Sequence, residues 1–278
     1  MEPMTNQVFF PVSFGDLFAA WNRFPEAVPY AGGTNLIGRQ GNNILNLPPV
    51  VLSLDKIEEL FNITRTEQYL EIGAMVRLNS FLRLGKMVPH SIIKCVENIA
   101  CVQVRNLATV GGNICTTSRI LDLPVPLIAL DAQYELRTIN SARWVSSARF
   151  HSNTEENVLQ KQELLTRIRL PLHQWDYSIY KKFSGKGLFS GETLVILAKT
   201  QKNMLSDIRI LYKGSSIRRN KSGETVLNGK YLPLNRKTAE EFIENWKIFL
   251  ANKSEETEYF KKALLNCVEE SVFNLSEY

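Results

Sequence analysis

The chain has 278 residues, 33 Lys and Arg against 28 Asp and Glu, and a formal net charge of +5. That length suits two or three packed units, and so small a charge excess, spread along the chain, gives no reason to expect nucleic acid as a partner. Met1 to Pro11 lacks the basic and apolar regions of a secretion signal, and no apolar run is long enough for a bilayer, so a cytoplasmic location without membrane association is expected.

The opening residues read as a β-α-β unit. Val8 to Pro11 is extended, Ser13 and Asp16 form a capping box, the helix behind it carries Phe14, Leu17, Phe18 and Trp21, and Pro25 ends it. A strand through Val28 to Ala31 runs into Gly32-Gly33, and Val50 to Leu54 supplies another. These elements make a first lobe over 1–57.

From 58 to 175 the pattern changes to short strands, such as Tyr69 to Ile72 and Gln133 to Arg137. They surround a helix from Ser91 to Ala100, on which Ile92, Ile93, Val96, Ile99 and Ala100 share one face. From 176 to 278, Ile208 to Tyr212, a turn at Asn220 to Gly223 and Thr225 to Leu227 predict an antiparallel sheet, with the basic run Arg218 to Lys221 at a solvated hairpin tip. Two amphipathic helices close the chain. The first starts at a capping box of Thr238 and Glu241 and buries Phe242, Ile243, Trp246, Phe249 and Leu250; the second carries Phe260, Leu264 and Val268.

Several chemistries lack their residues. The cysteines Cys95, Cys101, Cys115 and Cys267 show neither C-x-x-C nor ferredoxin spacing and read as buried thiols, while His90, His151 and His173 pair with no second ligand type. No metal site is expected in this chain. The stretch Gly185-Lys186-Gly187 fails as a phosphate loop, because Tyr180 and Gly187 occupy its defining positions, and Ser190 breaks a dinucleotide fingerprint. No side chain is nominated as catalytic.

Two glycine pairs stand out, in Tyr30-Ala31-Gly32-Gly33-Thr34-Asn35-Leu36 and in Ala108-Thr109-Val110-Gly111-Gly112-Asn113-Ile114. Either alone is most simply a tight turn. Together they predict facing loops of positive φ whose amide N–H groups point into one concavity, with Thr34, Thr109 and Asn113 adding side-chain donors.

The two motifs, with Gln103-Val104-Arg105-Asn106-Leu107 leading into the second and Ser118 and Asp122-Leu123 after it, resemble the FAD-binding domain of molybdopterin-dependent dehydrogenases. Leu70-Glu71-Ile72-Gly73-Ala74 is similar to that family's L-x-I-G-A strand, Leu164 to Pro171 to the strand ending its second lobe, and Glu224 with Leu227-Asn228-Gly229 to the E-x-x-L-x-G signature of its C-terminal domain. The resemblance implies an α+β chain: a two-lobed FAD-binding fold of the vanillyl-alcohol oxidase and MurB type over 1–57 and 58–175, then a C-terminal flavoprotein domain over 176–278, an antiparallel sheet with helices.

It further implies noncovalent FAD, with Tyr30, Ala31, Gly32, Gly33, Thr34, Asn35 and Leu36 and with Ala108, Thr109, Gly111, Gly112 and Asn113 around the pyrophosphate and ribityl chain, and Thr116 beside them. Asp122 matches an acidic residue bonding the ribose or phosphate region, and Leu165 and Lys182 match positions near the adenine or isoalloxazine. Implied partners are a large subunit holding molybdopterin and a small subunit holding [2Fe–2S] clusters, with FAD passing electrons to NAD or another acceptor. Departures occur at Asn35, where many members have Asp, at Arg119, which replaces a common proline, and in Lys182 to Gly191, which lacks the usual paired arginines. A stand-alone MurB-like flavoenzyme and a flavin-free structural subunit are the alternatives.

Overall fold

The computed structural model describes residues 6–40, 46–116, 121–152, 158–184 and 191–275. Gly185-Lys186-Gly187, Ser118 and Arg119 lie outside the described residues. The chain divides into two compact units, one of Met1–Met87, Ile99–Pro124 and Leu130–Leu172, the other of Val88–Asn98, Val125–Ala129 and His173–Tyr278.

In the first unit, β1 (Gln7–Phe9), β2 (Val28–Tyr30) and β3 (Val50–Ser53) form a parallel sheet of order β1-β3-β2. Parallel strands need crossover connections, and the helix Phe14–Arg23 carries the chain from β1 to β2, on the two sides of β3. Ser13 caps that helix, its hydroxyl oxygen accepting from the Asp16 N–H at 3.1 Å, and Leu17, Phe18 and Trp21 form its buried stripe. Central β3 is buried along its whole length, as a strand covered on both faces must be.

The larger sheet of this unit joins β4 (Ile63–Arg65), β5 (Tyr69–Gly73), β6 (Gln133–Arg137), β7 (Ala142–Ser146) and β8 (Leu164–Pro171) in the antiparallel order β4-β5-β8-β6-β7. Leu70, Ile72, Tyr134, Leu136, Ile168 and Leu170 are buried, while the intervening positions carry charge. There Arg167 bridges Glu71 and Glu135 at 2.9 and 2.8 Å, and Arg169 lies 4.0 Å over the Trp144 ring.

In the second unit β9 (Tyr177–Ser184), β10 (Gly191–Gln201), β11 (Met204–Lys213) and β12 (Ile217–Arg219) run antiparallel in the order β12-β11-β10-β9. The helices Arg236–Ala251 and Glu258–Leu275 cover it, packing Phe242, Trp246, Leu250, Phe260, Leu264 and Val268 against Leu194, Ile196, Ile208, Ile210 and Tyr212.

Four local expectations are corrected. The helix expected to reach Ala100 spans only His90–Glu97, because the Arg105 guanidinium takes the Ile99 and Ala100 carbonyls at 2.9 and 2.6 Å and Ala100 adopts a φ of 46°. The expected turn and strand over 220–227 are a helix, Lys221–Leu227, since the Asn220 side chain accepts from the Gly223 N–H at 3.0 Å and nucleates it. The supposed hairpin tip is therefore the end of β12, where Arg219 pairs with Glu224 at 2.9 Å. The penultimate helix is capped by Asn235, which accepts from the Thr238 N–H at 2.8 Å, so Thr238 lies inside it.

Candidate functional site

The first glycine motif leaves β2 and enters the helix Thr34–Gln40. Gly33 has a φ of 66°, which a side chain would oppose. Gly32 answers a different need: a Cβ there would overlap the Leu107 carbonyl, which is how the chain ahead of the second motif comes to lie against the first.

The second motif differs from the expected loop. Thr109 is extended and caps a short helix, Val110–Ile114, so Gly111 and Gly112 are helical and neither has positive φ. Their amides are already engaged, Gly111 N–H with the Ala74 carbonyl at 2.8 Å and Gly112 N–H with Thr109 Oγ1 at 3.1 Å. Glycine is required there by close packing: a Cβ on Gly111 would sit 2.8 Å from the Ala74 Cβ, and one on Gly112 2.9 Å from Thr109 Oγ1. The L-x-I-G-A strand thus has a definite job, since its Ala74 is the floor under the second motif.

Within the first unit the motifs share a cleft of about 350 Å³. Tyr30 through Leu36 line it, as do Ala108, Thr109, Gly112, Asn113 and Thr116. Of the other residues proposed from sequence, Gly111 packs on Ala74, and Asp122 is buried next to the lining residue Leu121. Leu165 is paired with Leu136 inside the larger sheet, and Lys182 belongs to the second unit, where its Nζ donates to the Asn98 carbonyl at 3.1 Å. The cleft also takes Val28, Pro29, Arg39, Pro48, Val51, Cys115 and Leu121, which sequence reasoning did not nominate. For Arg39 a signal existed, because it follows Asn35 by four residues and so shares its helix face.

The cleft is furnished for a polar ligand. Asn35 Oδ1 and Asn113 Oδ1 are buried without a hydrogen-bond partner among the described residues, and buried acceptors of this kind call for donors. The hydroxyls of a ribityl chain or a ribose are such donors. Together with the backbone turn at Gly32 and Gly33, which lines the same cleft, the residues present fit a flavin dinucleotide.

Cys115, at the cleft, belongs to a neutral cluster with Tyr134 and His151. Burial pushes the Cys115 thiol up to about 12 and raises Tyr134, to which Cys115 adds, while burial lowers the His151 imidazole to about 4. Tyr134 Oη and His151 Nε2 are 3.2 Å apart. Of the four thiols expected to be buried, Cys95 and Cys267 are, whereas Cys101 is exposed and Cys115 partly so. Among the described residues no group of His, Cys, Asp and Glu could hold a metal ion, and no helix is long and apolar enough to cross a membrane.

The family described as the FAD binding domain in molybdopterin dehydrogenase matches residues 4–173. The glyceraldehyde dehydrogenase medium chain of Sulfolobus acidocaldarius is 28% identical over 189 residues, 67% of this chain and 67% of that protein. The nicotine 6-hydroxylase medium subunit of Paenarthrobacter nicotinovorans is 24% identical over 215 residues, 75% of each. In fold, a chain of carbon monoxide dehydrogenase from Hydrogenophaga pseudoflava superposes with a TM-score of 0.80 at 22% identity, covering 99% of this chain and 96% of that one.

Proposed function

This chain belongs to the family of FAD-binding domains in molybdopterin dehydrogenases, and from that membership we propose that it works as the medium, flavin-holding subunit of an oxidoreductase complex. The observation that carries this reading is the single cleft lined by both glycine motifs and holding two unpartnered acceptors, Asn35 Oδ1 and Asn113 Oδ1. Bound there, FAD supplies exchange between single-electron carriers and an electron-pair acceptor.

The chain's own residues bind and orient. The backbone turn at Gly32 and Gly33 borders the pyrophosphate and ribityl region, and the asparagine oxygens accept from cofactor hydroxyls. Cys115, held as a neutral thiol, is a poor nucleophile toward the flavin, which agrees with noncovalent attachment. The names of the relatives, medium chain and medium subunit, support partners of two further sizes. We take these to be a large subunit with molybdopterin and a small one with [2Fe–2S] clusters, with NAD or another molecule as the final acceptor.

The test is purification of the full chain from its native source. We expect a yellow protein that releases FAD on acid denaturation, copurifies with a large and a small subunit, and has its flavin reduced by substrate only when the cluster subunit is present. A colourless chain that takes up no added FAD would remove the reading, and flavin reduction by substrate without partners would show a self-sufficient enzyme.

A further inference from the structure

The two glycine motifs approach the cleft from different parts of the first unit, and a side chain outside both links their supports. The second motif is backed by residues 74–78: the Gly111 N–H donates to the Ala74 carbonyl at 2.8 Å, the Val110 N–H to the Val76 carbonyl at 3.0 Å, and the Leu78 N–H to the Ala108 carbonyl at 2.8 Å. The first motif is tied to the end of β3, where the Leu54 N–H donates to the Tyr30 carbonyl at 3.0 Å and Asp55 follows. Arg77 reaches between the two. Its Nη1 donates to the Leu107 carbonyl at 2.6 Å, its Nη2 pairs with Asp55 Oδ1 at 2.8 Å, and its guanidinium carbon stands 5.9 Å from the centre of the Phe61 ring.

The Leu107 carbonyl lies against the first motif, at the spot where a Cβ on Gly32 would overlap it. The Leu107 residue is 54% exposed, so its own packing does little to fix that carbonyl, whereas a guanidinium holds carbonyl and carboxylate at once through donors in one plane. Neither Arg77 nor Asp55 is among the described residues lining the cleft, so a role toward the cofactor is indirect. Resting on the flavin reading of this cleft, we infer that Arg77, braced by Asp55, is a positioning residue that sets the distance between the two glycine motifs and through it the affinity for FAD. A ligand that meets both motifs binds tightest where their spacing is already set, because no binding energy goes into ordering the walls. With the Arg77 side chain 27% and that of Asp55 46% exposed, solvent screens the pair and keeps the effect moderate.

The experiment titrates the folded full-length apo-chain with FAD for the wild type, Arg77→Met, Arg77→Lys, Asp55→Ala and the double variant of Asp55→Ala with Arg77→Met, and measures a denaturant midpoint for each. The expected result is that Arg77→Met weakens FAD about tenfold, while Arg77→Lys, which keeps a donor for one partner, and Asp55→Ala each weaken it only about threefold. The double variant binds no more weakly than Arg77→Met, because Asp55 acts through Arg77. A role in stability alone would lower the midpoints and leave the folded chain with wild-type FAD affinity; that result overturns the proposal, as do additive losses in the double variant or an Arg77→Lys chain as weak as Arg77→Met. Asp55→Ala, at an exposed side chain, decides alone if Arg77→Met does not fold, and wild-type FAD affinity there overturns the proposal. A wild-type chain that takes up no FAD overturns the cofactor reading and this proposal with it, whereas FAD binding indifferent to Arg77 and Asp55 overturns this proposal only.

Discussion

The Thr109 hydroxyl oxygen accepts a 3.1 Å hydrogen bond from the Gly112 N–H, so the second glycine motif is folded back on its own first residue. Val110 is fully buried behind that cap and the Gly111 amide is bonded to Ala74. The motif is a rigid wall element whose shape depends on the absence of two side chains.

Gly112→Val follows directly. Its Cβ would stand 2.9 Å from Thr109 Oγ1, with branches that must find room at the cleft wall, 4.0 Å from the Ala31 Cβ. We expect FAD affinity to fall by more than about tenfold, with circular dichroism unchanged because Gly112 itself is the exposed position of an otherwise buried motif. Near-wild-type titration of a correctly folded variant would show that this wall does not touch the cofactor.

Thr109→Val removes the cap hydroxyl at nearly constant volume, whereas Thr109→Ser keeps it. The valine variant should lose about 1 kcal/mol of stability, typical for an N-cap, and the serine variant much less. Denaturant unfolding of the two proteins checks the ranking; equal stabilities would mean that the helix Val110–Ile114 is held by packing alone.

The difference between what was readable and what was not lies in range. The β-α-β opening and β6 were legible because caps and alternation act over a few residues; β6 has the very bounds expected, as has β8, which the family resemblance supplied. Two short motifs announced a common ligand, and their residues do line one cleft. What failed depended on competition or on distant contact. Thr225 and Val226 favour a strand, but the Asn220 cap won; Ile99 and Ala100 fit the helical stripe, but Arg105 captured their carbonyls. The glycines of the second motif were credited with positive φ, although a Cβ on Gly111 is barred by Ala74, far away in sequence, and one on Gly112 by the Thr109 cap. Leu165 pairs with Leu136 because the register of β6 and β8 shifts after Glu135, and no local pattern encodes such a shift.

Glu224 offers a test of the second unit. Its buried carboxylate accepts from Arg219 Nε at 2.9 Å and from the Ile210 N–H at 2.8 Å, tying β11, β12 and the helix Lys221–Leu227 together. Glu224→Ala leaves a backbone donor and a guanidinium without their acceptor, and should cost on the order of 3 kcal/mol. Glu224→Gln, which keeps an acceptor oxygen, should lose less. Unfolding curves in which both variants match the wild type would remove this carboxylate from the account of the unit's stability.

The acid response of the first unit should run through His151. Burial lowers its folded pKa from 6.5 to about 4, beside the Tyr134 hydroxyl and the Phe150 ring at 5.1 Å. Between those values the unfolded chain binds a proton that the folded chain refuses, so the unfolded state gains as pH falls. The stability this group contributes is therefore complete above about pH 6.5, is lost progressively toward pH 4, and changes no further below it; the full loss amounts to roughly 3–4 kcal/mol. Glu135 and Glu163, both held below the usual carboxylate range by arginine partners that outweigh their burial, lose their contribution only in more acid solution. His151→Gln removes the titration and keeps a polar partner for Tyr134. Denaturant midpoints measured from pH 7 to pH 4 should decline for the wild type and stay nearly level for the variant; parallel curves for the two proteins would mean that His151 is protonated as readily in the folded chain as in the unfolded one.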